Sequence, residues 1–329
     1  MINIGKIVRD ARKARGIKQY ELARRADMSA AQLSQLEKGR MGPTFATIER
    51  IAAALDTDIP GLLGTVSSGS SESAESQPVV SDAGAYYPMR TQEVDASKVL
   101  KQILPREREL DAWAQEHGVA TDCTIALNRA APAYAGAGAV LAEELRTDLG
   151  LGTAPLGDLE TVLRFRGVRI HRVRLAQECG SVSFWSETAK TPVIVLNART
   201  TIERQRYRLV YELATACLYA SRGGKSLSET LQQHRFLTDF TAAFLMPATT
   251  VRAFVAASGL GVDDWTFGAL VTLKTHFTVS AESFALRLEE LGLIAPALRL
   301  ELRDRLRAYY KSHPKAMEPK EKGKLQVRV

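Results

Sequence analysis

The segment Glu203-Arg-Gln-Arg-Tyr-Arg-Leu-Val-Tyr-Glu-Leu-Ala-Thr-Ala216 fixes more about this chain than any other. Leu209, Leu213, Ala216, Cys217 and Ala220 recur at helical spacing and form one apolar stripe, while Tyr207, Tyr211 and Thr215, at i, i+4 and i+8, share another face. Such a helix has to bury its stripe against further elements. About thirty residues on, Phe240-Thr-Ala-Ala-Phe-Leu-Met-Pro247 is a second apolar run, closed by proline. Upstream, helices are predicted over 140–149 and 156–166, the latter ending at Gly167, and strands over 168–173, 181–185 and 193–196. Downstream, 273–280 and 285–294 read as a helix pair with Ser280 as a cap. Helix, helix, small sheet and long helix is an α+β order.

The first 64 residues have a different texture. Ile4, Ile7, Val8 and Ala11 predict a helix that Gly16 stops. A second passes through Tyr20, Leu22, Ala23 and Ala26, and Ser29 stands as N-cap to a third, Ala30-Ala-Gln-Leu-Ser-Gln-Leu-Glu37, ended by Gly39. A fourth runs from Thr44 to Leu55. Residues 65–85 are rich in Ser and Glu and poor in apolar groups, which predicts a flexible linker. Residues 86–138 read as a helical extension broken at Pro105, either a dimerisation element or a packing extension. The expected organisation is therefore mainly α: a helical bundle over 1–64, the linker 65–85, the extension 86–138, an α+β domain over 139–296, and a basic helix and tail over 297–329.

Charge separates these parts more sharply than its total of +7. Residues 1–64 carry 11 Lys+Arg against 7 Asp+Glu, and residues 298–329 carry 10 against 4, which leaves the middle at −3. Basic ends suit a polyanion, and the acidic middle does not. Cys123, Cys179 and Cys217 are odd in number and lack CxxC spacing, which argues for buried thiols over a disulfide framework. No cationic start precedes an apolar run, and no apolar stretch is long enough to span a bilayer, so the expected location is the cytoplasm, without membrane partners.

The pattern Gln19-x-Glu21-Leu-Ala23…Ser29-x-x-Gln-Leu-Ser-Gln-Leu-Glu-Lys-Gly-Arg40…Pro43-Thr…Leu55 closely resembles the Cro/CI-repressor (XRE) helix-turn-helix family over about sixty residues. Its spacing has a physical reason: Ala23 is small enough for two helices to cross closely, and Leu33 and Leu36 anchor the second to the core. The resemblance implies that Ala30, Ala31, Gln32, Gln35 and Ser34 face base edges, with Gln19, Ser29, Lys38 and Arg40 near phosphates. A Gln amide reads adenine in a bidentate pair, and an alanine contributes contact with thymine methyls.

From Ala142-Glu-Glu-Leu through Val193-Ile-Val-Leu-Asn197, Leu-Val-Tyr-Glu-Leu213 and Phe240–Pro247 to Leu-Gly-Leu-Ile294, the chain resembles the ImmA/IrrE metallopeptidase family in the order and spacing of its parts. In active members a His-Glu-x-x-His helix and a downstream acidic residue hold zinc, and the peptidase cleaves a partner repressor. Carried onto this chain, the two imidazoles fall on Tyr211 and Thr215, the general-base carboxylate on Glu212, and the downstream ligand on or near His234. Tyr and Thr oxygens are poor zinc donors, so no metal and no cofactor is expected. Arg206, Arg208 or another cation nearby can pair with Glu212. Tyr207, Tyr211, Glu212, Thr215 and His234 then line an emptied cleft suited to a small ligand or peptide.

The sequence thus predicts a bacterial or phage-type transcription regulator, homodimeric on double-stranded operator DNA at the nucleoid, whose pseudo-peptidase domain senses a ligand or protein partner. Two alternatives stay open: a metal-dependent endopeptidase that cleaves a repressor under stress, and an antitoxin-like interaction module.

Overall fold

The computed structural model describes residues 4–26, 28–38, 45–55, 57, 79–81, 84–90, 95–129, 136–176, 179–227 and 230–312. The chain divides into two units, Met1–Ala74 and Glu75–Val329.

In the first unit, α1 (Ile4–Ala14), α2 (Gln19–Arg25), α3 (Ala30–Glu37) and α4 (Phe45–Ala54) enclose Val8, Leu22, Ala23, Leu33, Leu36, Ile51 and Leu55, all buried. A Cβ at Gly5 would lie 1.9 Å from the Leu36 carbonyl oxygen, so glycine is what lets α1 rest against the end of α3. Glu37 closes this corner. Its carboxylate accepts from Arg12 Nε at 2.7 Å, from Arg12 Nη2 at 3.0 Å and from Gln19 Nε2 at 2.9 Å, while Arg12 Nη1 donates to the Ile17 carbonyl. One buried carboxylate thereby fixes the relative positions of three helices.

The second unit is built on a five-stranded sheet in the order β1 (Val79–Ser81), β2 (Gly84–Pro88), β4 (Ser181–Ser186), β5 (Thr191–Asn197), β3 (Arg169–Val173). Only the β5/β3 pair is parallel, with Arg169 opposite Val193 and Val173 opposite Asn197. Every residue of β5 is buried, and the period of two explains why. Ile194 and Leu196 face one core with Ile170 and the helices α6 (Ala137–Asp148), α8 (Ile202–Ser221) and α9 (Leu231–Leu245). Val193 and Val195 face the other, with Tyr86, Val182, Phe184, and Val99, Leu100 and Ile103 of α5 (Ala96–His117).

Three expectations change here. The linker predicted over 65–85 holds strand at Val79–Ser81 and Gly84–Ala85, whereas 65–78 lies outside the described residues. The extension 86–138 opens as strand, and α5 runs unbroken through Pro105. Proline removes one helical N–H, but Val99, Leu100 and Ile103 before it and Glu107 and Ala114 after it are all buried, and that packing holds both halves in line. The inner face of α5, with Val99, Leu100 and Ile103, covers the Val193–Val195 face of the sheet.

A buried ionic network fastens α5 to β3. Glu107 Oε2 accepts from Arg169 Nη1 at 2.8 Å and from the Tyr86 hydroxyl at 3.2 Å, and its Oε1 lies 2.6 Å from His171 Nε2. Asp111 takes the other arm of Arg169. Burial alone pushes the Glu107 carboxyl up, yet the His171 bond and the Arg169 charge outweigh it and hold the carboxyl below its ordinary range.

The remaining elements are α7 (Leu159–Phe165), α10 (Ala248–Ser258), α11 (Phe267–Lys274), α12 (Ala281–Glu290) and α13 (Pro296–Ser312). Ser280 caps α12 by accepting from Ser283 N–H, as read from the sequence. At Gly138 a Cβ would fall 2.3 Å from the Phe236 carbonyl oxygen, which marks how closely α6 and α9 cross. Cys217 is buried, Cys123 and Cys179 are half-buried, and all three are free thiols. Among the described residues no single helix is long and apolar enough to cross a membrane. The tail beyond Ser312 lies outside the described residues.

Candidate functional site

The turn between α2 and α3 is set by local bonds: Ala26 N–H donates to Leu22 O and Met28 N–H to Ala23 O. Ser29 Oγ accepts from Gln32 N–H at 3.1 Å while Gln32 Oε1 accepts from Ser29 N–H at 2.9 Å, a reciprocal capping box. With Leu33, Leu36 and Glu37 buried, α3 leaves Ala30, Ala31, Gln32, Gln35 and Lys38 exposed on its outer face, with Ser34 half-buried beside them. Two of the expected contact residues are already engaged. The Gln32 amide oxygen closes the cap and the Gln19 amide binds Glu37, whereas the exposed Gln35 takes part in neither bond. Arg40 lies outside the described residues.

The second site centres on Glu212, in the middle of α8 and wholly buried. Arg90, two residues past β2, donates to it from Nη2 at 2.9 Å and from Nε at 3.3 Å. Ser181 Oγ and Ser183 Oγ each donate at 2.6 Å, one to each carboxylate oxygen. Burial pushes this carboxyl up, but the Arg90 charge and the three donors prevail and keep it ionised below its ordinary range. Arg206 and Arg208 are not its partners. Arg206 Nη1 donates to the Gly157 carbonyl at 2.9 Å, and the Arg208 guanidinium lies over the Tyr211 ring at 5.4 Å from its centroid. Sequence reasoning missed Arg90 altogether, since it lies 122 positions from Glu212. The serines did leave a signal: two hydroxyls at i and i+2 on a strand point to one face.

The other residues read as a cleft are only partly brought together. Tyr211 is buried, and its hydroxyl sits 3.3 Å from Nδ1 of the exposed His234 on α9. Thr215 is wholly buried and donates to the Tyr211 carbonyl at 2.9 Å, which removes its hydroxyl from the face it was expected to line. Tyr207, one turn before Tyr211, lines a separate opening of about 510 Å³ with the start of α12 and Arg303–Tyr310 of α13.

The zinc implied by the ImmA/IrrE resemblance does not fit this donor set. At the two imidazole positions stand a phenol and a hydroxyl with partners of their own, and the carboxylate already carries a guanidinium as counter-ion. A divalent ion here would face a fixed positive charge. Among the described residues, no three His, Cys, Asp or Glu side chains cluster as a metal site would need.

Comparison with known proteins agrees with both ends of the chain. Residues 8–62 match the helix-turn-helix family, and residues 165–289 match the IrrE N-terminal-like domain. The chain is 30% identical over 74 residues to an immunity repressor protein of Bacillus phage phi105, covering 22% of this chain and 51% of that protein. It is 38% identical over 56 residues to the ImmF control region 10 kDa protein of the same phage, covering 17% of this chain and 62% of that one. Each match thus spans less than two thirds of the relative's length.

Proposed function

We propose that a chain joining a helix-turn-helix domain to an IrrE N-terminal-like domain is a sequence-specific DNA-binding transcription regulator, whose second unit is a receptor for a small ligand or protein partner instead of a peptidase. The observation that carries the DNA-binding reading is the outer face of α3: a capped helix held by Leu33 and Leu36, presenting Ala30, Ala31 and Gln35 from a basic segment. The first relative's name, an immunity repressor, supports it. A single such helix reads too few base pairs for useful specificity, so the regulator acts as a homodimer on half-sites about one DNA turn apart, at the nucleoid. The receptor reading rests on Glu212. A buried carboxylate that already accepts from Arg90, Ser181 and Ser183 is poorly placed to polarise a metal-bound water.

Both halves can be tested on the full chain. On an operator selected from random DNA, Gln35→Ala is expected to weaken binding by about 1–3 kcal/mol, roughly 5- to 150-fold, and to relax preference at one base position. Unchanged affinity and unchanged preference in a fluorescence anisotropy titration would sink the assignment of α3 as the reading helix. Elemental analysis of protein purified without chelators or a metal-affinity column is expected to find zinc far below one per chain. One zinc per chain would reinstate the peptidase reading.

A further inference from the structure

The opening beside Tyr207 lies on the same helix as Glu212 but is a different place with different chemistry. Three stretches far apart in sequence meet there: Asn197–Arg208 at the end of β5 and start of α8, Val279–Ser283 at the start of α12, and Arg303–Tyr310 on α13. Five arginines line it, Arg199, Arg204, Arg208, Arg303 and Arg307, against two carboxylates, Glu203 and Glu282. Both carboxylates are already paired, Glu203 with Lys274 at 3.5 Å and Glu282 with Arg307 at 3.4 Å. Among the described residues, no carboxylate pairs with Arg199, Arg204 or Arg208.

Charge on a convex surface would simply be solvated. Here it surrounds a hollow of about 510 Å³ whose wall also includes Tyr207, Tyr310, Val279 and Leu306. Burial pushes the Tyr207 phenol up to about 12, so near neutral pH it is a hydrogen-bond donor that adds no negative charge. The first turn of α12 forms another wall; its N–H groups lack intrahelical acceptors, and that of Ser283 is already held by Ser280 Oγ. Guanidiniums, phenols and first-turn amides are all donors, and what they share is a preference for oxyanions.

We infer that this cleft is a binding site for a small multiply charged oxyanion, a phosphate-bearing effector with an apolar body that packs on Tyr207 and Tyr310. The inference deepens the receptor role and rests on it only for what occupancy does to operator affinity. Binding itself stands apart from that role.

Pyrophosphate serves as the probe, titrated into the full-length protein by calorimetry at low chloride, with operator affinity measured in parallel. The expected result is one pyrophosphate per chain, weakened at least tenfold in the Arg204→Glu/Arg307→Glu variant and less in Arg204→Lys, which keeps the charge but loses the planar fork. Arg305→Ala, on the same helix as Arg307 but outside the cleft, is expected to bind as the parent does. Unfolding by circular dichroism checks that each variant is folded. No binding, or equal binding in the charge-reversed variant, would overturn the inference. So would loss of operator affinity in that variant without pyrophosphate together with a shallower salt dependence, because the arginines would then be contacting DNA. Specific pyrophosphate binding with no effect on operator affinity would uphold the site and refute the receptor role. Absence of operator binding in the parent protein would refute the DNA-binding reading and leave the site intact.

Discussion

Glu212→Ala is expected to destabilise the second unit by about 3–5 kcal/mol, because it strands the Arg90 guanidinium and two serine hydroxyls in a dry interior. This outcome separates the two readings of the residue. A carboxylate kept for catalysis is commonly a burden on the fold, and its removal leaves stability unchanged or raises it. The measurement is clean in this chain: its three tryptophans are Trp113, Trp185 and Trp265, so selectively excited tryptophan fluorescence during urea unfolding reports the second unit alone. Glu212→Leu combined with Arg90→Met is expected to recover most of the loss, since removing both charges also removes the desolvation cost. An unchanged urea midpoint in Glu212→Ala would show that the carboxylate does not hold the fold.

The network at Glu107 is expected to produce a loss of similar size, with a pH signature of its own. Glu107→Ala leaves His171 buried beside an empty site and Arg169 with only Asp111 of its two carboxylates, at a cost of about 3–5 kcal/mol. In the folded chain the Glu107 carboxyl is held below its ordinary range, whereas an unfolded chain takes up that proton near pH 4.3. Between those two values the unfolded state binds more protons than the folded one. The contribution of Glu107 is therefore complete above about pH 4.3 and is lost as pH falls through the folded value. Glu212 acts in the same direction. Tryptophan-monitored unfolding from pH 7 down to pH 3 is expected to show a falling midpoint in the parent and a flatter acid limb in Glu107→Gln. Parallel acid limbs would show that Glu107 titrates alike in both states.

What could be read from the sequence was what local spacing determines. Ser29 and Ser280 cap helices because each sits directly before an apolar periodic run, and Leu33 and Leu36 fall in the core because they lie three apart on α3. The strands read over 168–173, 181–185 and 193–196 are observed at Arg169–Val173, Ser181–Ser186 and Thr191–Asn197, each a short run with β-branched or aromatic residues. The failures were contacts made across the chain. Arg90 meets Glu212 from another element, and nothing adjacent to either residue announces the pair. Val79–Ser81 is too short for alternation to register, and it is strand because β2 supplies its ladder. Pro105 carried a strong local instruction to break, and the buried residues on either side of it overruled that instruction. Thr215 shared a face with Tyr207 and Tyr211 by arithmetic, yet its hydroxyl turned back onto its own helix.

The guanidinium at position 90 also bears on what a zinc site on this helix would take. Histidines placed at 211 and 215 would not be enough to hold zinc on this helix, because the divalent ion would arrive beside a fixed cation already bonded to Glu212. A third change would be needed 122 positions away, and made alone it would strand Glu212 in the core. Loss of Arg90 alone would cost stability before any gain in metal chemistry, so this guanidinium stands between the present helix and a zinc-binding one.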